Sequence, residues 1–173
     1  MFDLLDLARL ERAGFAVEHR EVDLAAVGAA AVKRHRPRAQ ELGVELTYAG
    51  ENVSWGVGDE GRLLQATSNL IENALRLTPA GGSVAVLARP GAISVRDTGP
   101  GLAAEDLPRA FDRFYLYDRY RSERAVGSGL GLAIVKELTA AMGGGVTASS
   151  EAGRGAEFTI TVPMGTAQAG TAR

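Results

Sequence analysis

Asn69 and Asn73 stand one helical turn apart in "SNLIENALRLTP", residues 68–79, a stretch that otherwise reads as a core helix. A buried amide requires a polar partner, so the pair must have one. Arg76 follows a turn later. Two glycine clusters lie downstream. "DTGPGL", residues 97–102, comes directly off an expected strand, and "GSGLGL", residues 127–132, opens an expected helix. Glycine lets backbone amides approach an anion closely, and a helix N-terminus adds free N–H donors and a favourable dipole. The run Gly127, Ser128, Gly129, Leu130 and Gly131 therefore reads as a phosphate cradle. For either cluster alone, a tight turn is the alternative.

Two familiar nucleotide signatures fail. A P-loop needs a Lys directly after its last glycine, and none stands there. "GPGLAA", residues 99–104, formally matches the dinucleotide fingerprint. However, Pro108 breaks the helix that should follow, and no second strand ends in an acid at the required distance.

The elements that must position these residues follow from periodicity. "FDLLDLARLER", residues 2–12, predicts a helix ended by Gly14. It begins abruptly after Met1, as the cut end of a longer helix would. Asp23 is expected to cap a helix over "LAAVGAAAVKRHRPRAQELG", Pro37 notwithstanding, and "VELTYA" and "VSWGVGD" read as strands. Asp59 caps the next helix, with Leu63, Leu64, Thr67, Leu70, Ile71, Ala74 and Leu75 as its buried stripe. Arg62, Asn69, Asn73 and Arg76 lie along its other side. "SVAVLA" and "AISVRD" form a hairpin across "RPG". Residues 102–126 show no clean period and read as a partly ordered loop. "GLGLAIVKELTAAMGG" is a helix, and "GVTASSE" with "AEFTITVP" is a closing hairpin. Interleaved helices and antiparallel strands predict an α+β two-layer sandwich. Three segments are expected: 1–22 as the end of an incoming helix and linker, 23–164 as the principal domain, and 165–173 as a disordered tail.

The chain has 173 residues, 46% of them apolar, which is enough for one domain with a real core. A net charge of −2 argues against a general nucleic-acid binder. The absence of cysteine excludes disulfides, thiolate catalysis and Cys-ligated metal.

The order of the pieces resembles one family. "DEGRLLQATSNLIENALRLTP", "DTGPGL", "FDRFY" and "GSGLGLAIVKEL" are similar to the N box, first glycine box, F box and second glycine box of the ATP-binding catalytic domain of two-component sensor histidine kinases. That superfamily also holds gyrase-like, chaperone and mismatch-repair ATPases. The resemblance implies a Bergerat-type fold: a mixed, largely antiparallel sheet covered on one face by about three helices. It implies ATP and Mg²⁺ as cofactors. Asn73 would be the metal-coordinating amide, and Asn69 would help hold metal-bound water or phosphate. Arg76 would contact phosphate. Asp97 would accept the adenine amino hydrogen. Gly99 and Gly101 would shape the nucleotide wall, and Gly127, Gly129 and Gly131 would let the lid close. The chemistry agrees. An amide oxygen is a neutral hard ligand suited to Mg²⁺, and an ionised carboxylate accepts from adenine's amino group but cannot donate to guanine O6.

Hydrolytic relatives carry a glutamate where this chain has Asn69, and a neutral amide is a poor general base. Glu72 lies about 100° round the helix from Asn73 and is expected to face elsewhere, toward a basic residue. The resemblance therefore implies slow hydrolysis and phosphoryl transfer to a protein. The chain departs from the family at Leu77, where an aromatic or His is common, and at Ala141–Met142–Gly143, where His–Gly is common. Arg113, Arg119, Arg121 and Arg124 in the lid are all candidates for the γ-phosphate.

Neither histidine fits a phosphoacceptor. His19 lies in a linker and His35 in the basic stretch "KRHRPR"; both read as surface or structural. The resemblance then implies an acceptor histidine on an upstream dimerisation domain and a cognate response regulator as partners. It further implies a cytoplasmic domain of a membrane-anchored homodimeric kinase, monomeric when isolated. A nucleotide-binding regulatory module or an anti-sigma-type serine kinase is the alternative.

Overall fold

The structure, a computed structural model, describes residues 4–11, 16–123 and 127–165. Phe2, Gly14, Arg124 and residues 166–173 of the expected tail lie outside the described residues. A first helix, α1 (Leu4–Glu11), buries Leu7 and leaves Leu4 and Leu5 exposed. Strand β1 (Arg20–Asp23) pairs antiparallel with β3 (Trp55–Gly58) in a separate two-stranded ribbon. Five further strands form the main sheet: β2 (Glu45–Tyr48), β4 (Ser83–Arg89), β5 (Ala92–Asp97), β6 (Gly145–Ser150) and β7 (Ala156–Thr161). Their order is β2-β4-β5-β7-β6, with only the β2–β4 pair parallel. Helices α2 (Leu24–Leu42), α3 (Glu60–Leu77) and α5 (Gly131–Ala141) pack side by side against this sheet. The result is the α+β sandwich expected from the sequence.

Local chemistry explains the helix boundaries. The Asp23 carboxylate accepts from the Ala25 N–H at 3.0 Å and from the Ser54 N–H at 3.1 Å, so one cap also ties down the approach to β3. Pro37 does not break α2. The carbonyl it frees belongs to Lys33, and both residues are exposed, so Pro37 lies on the solvent face of the helix. Asp59 caps α3 by accepting from Arg62 N–H at 3.1 Å and binds the linker by accepting from Glu18 N–H, also at 3.1 Å.

The core lies between the helices and the sheet. Val84, Val86 and Ala88 alternate inward on β4, and Leu63, Leu70, Ile71, Ile134 and Leu138 meet them from the helices. Two expectations need correction. The described part of 102–126, residues 102–123, is more regular than a loop: Leu107–Arg109 form a 3₁₀ turn with Pro108 inside its start, and Tyr115–Tyr120 form α4. Proline is compatible with a helix start because its missing N–H would have no partner there. On α3, Leu64 of the expected buried stripe is only half-buried, whereas Asn69, opposite that stripe, is 7% exposed because α5 covers that part of the helix.

His35 is buried on α2, and its Nε2 has no hydrogen-bond partner among the described residues. Burial pushes its pKa below the usual value of 6.5; the charge of Glu72 partly offsets this, and Arg34 adds to it. The fold therefore favours the neutral ring, so protonation is resisted in the folded state and open in the unfolded one. Stability from this residue is complete above pH 6.5 and is lost as pH falls from there toward the lowered folded value. His35→Leu is expected to flatten the decline in urea midpoint between neutral and mildly acidic pH. An unchanged pH slope in the variant would remove His35 from the account.

Candidate functional site

A cavity of about 550 Å³ opens between α3, α4 and the start of α5. Its floor is α3, which presents Asn69, Asn73 and Arg76 at the spacing of successive turns. Asn69 donates from Nδ2 to the Gly131 carbonyl at 3.3 Å and so ties α3 to the beginning of α5. Asn73 is half-buried, and its Oδ1 accepts from Arg76 Nη2 at 2.9 Å. That amide oxygen already faces a cation. Burial lowers the Arg76 pKa and the nearby Glu72 charge opposes the shift; a guanidinium stays charged regardless. Glu72 is exposed at the cavity rim rather than turned away from it, and its charge acts on Arg76 and His35. The basic neighbour was anticipated; the position at the rim was not.

The glycine run forms the opposite wall, where Gly127, Ser128, Gly129 and Gly131 all line the cavity. A Cβ on Gly127 would lie 2.6 Å from Arg76 Nη1, so the backbone there rests on the guanidinium. Gly129 has φ +79°, which is why α5 begins at Gly131 and not earlier. No side chain caps the first turn of α5, which leaves its N–H groups available to an anion. Ser128 Oγ accepts from Leu130 N–H at 3.3 Å.

Asp97 sits apart from the main cavity. It ends β5, is 4% exposed and lines a small annex of about 10 Å³ with Gly101, Ala156 and Phe158. Asn73, Leu77, Leu102 and Leu116 line both spaces, so the two are neighbours across those side chains. Burial raises the Asp97 pKa, and backbone N–H groups of Gly99 and Ala156 partly offset it. The Gly99 N–H donates to Oδ1 at 2.8 Å. Gly101 has φ +68°, and a Cβ there would meet the Glu151 carbonyl oxygen at 2.5 Å, so the turn requires glycine.

Of the residues expected at the site, Gly99 and Leu130 line neither space. Gly99 holds Asp97, and Leu130 is buried beneath the start of α5. Sequence reasoning missed Leu102, Leu116, Tyr117, Tyr120 and Leu132, which make the apolar part of the cavity. The signal was present in the aromatic cluster of 114–120, but six residues of helix are too few for a period to show.

The residues fit a magnesium nucleotide. Asn73 offers a neutral oxygen that accepts from a cation, Arg76 and the uncapped α5 terminus favour an anion, and Asp97 offers a buried acceptor. Among the described residues, no group of three or more His, Cys, Asp or Glu could hold a metal ion. Mg²⁺ is commonly bound by one or two protein oxygens together with substrate phosphates.

Fold and cavity together define an ATP-binding catalytic domain of the sensor histidine kinase type. The chain belongs to the family described as histidine kinase-, DNA gyrase B-, and HSP90-like ATPase, which matches residues 58–166. It is 35% identical over 165 residues to the sensor-like histidine kinase SenX3 of Mycolicibacterium smegmatis, covering 93% of this chain and 43% of that protein. It is 38% identical over 165 residues to the sensor histidine kinase CusS of Escherichia coli, covering 93% of this chain and 34% of the relative. Among solved structures, full-length ShkA in complex with AMPPNP superposes with a TM-score of 0.79 at 38% identity, over 92% of this chain and 34% of that one. The chain thus spans less than half the length of these relatives.

Proposed function

We propose that this domain binds Mg-ATP and transfers the γ-phosphoryl group to a histidine on an upstream dimerisation domain, for relay to a response regulator. The observation that carries the reading is the convergence on one cavity of Asn73, Arg76 and the Gly127–Gly131 wall, with buried Asp97 in the adjoining annex. Asn73 is the amide that would hold Mg²⁺. The ion, when bound, neutralises charge on the phosphates. Arg76 and the first amides of α5 bind and orient the phosphates; Asp97 reads the adenine amino group. Asn69 is neutral, buried and committed to Gly131, so it is poorly placed to activate water. That supports transfer over hydrolysis. An imidazole nitrogen attacks the γ-phosphorus, ADP leaves, and the ring N–H proton is released.

The relatives are named sensor kinases, and this chain spans only part of them. That supports a longer sensor kinase as the parent; we propose that it is homodimeric and membrane-anchored, with this domain in the cytoplasm. Among the described residues, no helix is long and apolar enough to cross a membrane.

The test supplies a separately produced helix-pair domain with its acceptor histidine and γ-labelled ATP. Acid-labile, alkali-stable label on that domain is expected. Acid-stable label would point to a serine kinase. Metal-dependent turnover to free phosphate at about 1 s⁻¹ or faster would sink the transfer reading. Nucleotide binding without either reaction would leave a regulatory module.

A further inference from the structure

Helix α4 has six residues, about half the length at which a helix becomes even marginally stable alone. Its first flanking residue, Phe114, makes no capping hydrogen bond with its side chain and adopts φ +58°, an unfavourable value for a bulky residue. Yet α4 supplies Leu116, Tyr117 and Tyr120 to the cavity wall. Something outside the helix must hold it.

Asp106 is placed to do so. It precedes the 3₁₀ turn, and its residue is 1% exposed. Its Oδ1 accepts from the Tyr115 hydroxyl at 2.8 Å, and its Oδ2 accepts a short hydrogen bond from the Tyr120 hydroxyl. Arg119 Nε stands 3.5 Å from Oδ1, and its guanidinium lies 5.1 Å above the Tyr120 ring. Three of the six α4 residues therefore converge on one carboxylate. On the far side, Arg109 covers the Tyr115 ring at 4.1 Å. A buried carboxylate is costly unless its lone pairs are filled, and here hydroxyls and a guanidinium fill them. Tyr120 links the two environments, because its hydroxyl binds Asp106 while the residue lines the cavity.

We propose that Asp106 is a positioning residue for nucleotide binding: it pins α4 so that Leu116, Tyr117 and Tyr120 stand as a preformed wall of the ATP site. The inference rests on the nucleotide-binding reading above. A preformed wall spares the ligand the entropy of ordering it, so loss of the pin appears in affinity.

The experiment uses the whole chain with Asp106→Asn, which keeps the shape and one acceptor oxygen but removes the charge. Calorimetry with ADP and Mg²⁺ is run beside amide hydrogen exchange over residues 115–120 and thermal melting. A dissociation constant raised about tenfold is expected, the size of one lost hydrogen bond. Faster exchange confined to α4 and its contacts is expected with it, while the strands keep their protection. Faster exchange with unchanged affinity overturns the positioning role. Unchanged exchange in the folded variant overturns the anchoring. Tighter binding would mean that the contact holds α4 in the ligand's way, which also overturns the proposal. Should Asp106→Asn not fold, Tyr115→Phe/Tyr120→Phe removes only the two hydroxyls and is read in the same way. If the unaltered chain binds no nucleotide, the proposed function fails and the positioning role with it, while the exchange arm still decides the anchoring.

Discussion

Asp97→Asn is expected to weaken ATP binding about thirtyfold, within the range for a hydrogen bond to a charged group. It is also expected to reduce the preference for ATP over GTP to a few-fold. The reason is geometric. Asp97 Oδ1 accepts the Gly99 N–H at 2.8 Å, and the carboxyl is buried. An Asn side chain must give its one oxygen either to Gly99 or to the adenine amino group. In either orientation, its NH₂ then faces a donor. With the NH₂ directed at the base, it can donate to guanine O6, which the carboxylate could not do. The raised pKa of Asp97 adds a second signature. Adenine recognition needs the ionised form, so affinity falls as pH drops through a value above the ordinary carboxylate range, and the Asn variant lacks that component. Calorimetry with ATP and GTP at two pH values checks both points. Equal ATP affinity in variant and parent would remove Asp97 from base recognition.

Asn73→Ala is expected to abolish the dependence of ATP affinity on Mg²⁺. Removing a partner one shell further from a metal already costs 10- to 100-fold in many sites, so loss of the amide ligand itself is expected to cost about 100-fold or more. The Asn73 oxygen is held by Arg76 at 2.9 Å, on a half-buried surface of α3. Its loss leaves the apolar side of that helix untouched, so the melting temperature should barely move. The discriminating measurement is the ratio of dissociation constants with and without Mg²⁺. It should approach one in the variant. Arg76→Ala, by contrast, should weaken binding in both conditions, because in the proposed site its charge would act on phosphate rather than on the metal. A ratio that survives Asn73→Ala would place the ion elsewhere.

Much of this site was legible before the fold was known. Asn69, Asn73 and Arg76 recur at helical spacing, so any helix over 60–77 brings them together. The glycine run at the start of a helix read as a phosphate cradle, because glycine lets backbone N–H groups approach an anion closely. The hairpin of β4 and β5, the caps at Asp23 and Asp59, and the closing hairpin followed from alternation and turn chemistry. These are local properties, decided within a few residues along the chain.

What the chain alone left open depended on residues distant in sequence. Asn69 needed a polar partner that the sequence did not name; α5, from 62 residues away, covers it and supplies the Gly131 carbonyl. Glu72 was expected to turn aside and stands at the rim, because the cavity is wide enough to include it. Asp97 and Asn69 line adjoining spaces, and Asn73, Leu77, Leu102 and Leu116 line both. The segment 102–123 acquires its helix from a buried carboxylate that collects two tyrosines and an arginine, a contact with no period to announce it. By itself, the sequence determined the elements, their caps and the polar groups that α3 and the glycine run offer, because hydrogen-bonding capacity and residue spacing act locally. Only the tertiary structure decided which polar groups lose their water and which side chains wall the cavity, because burial is set by neighbours that periodicity cannot name.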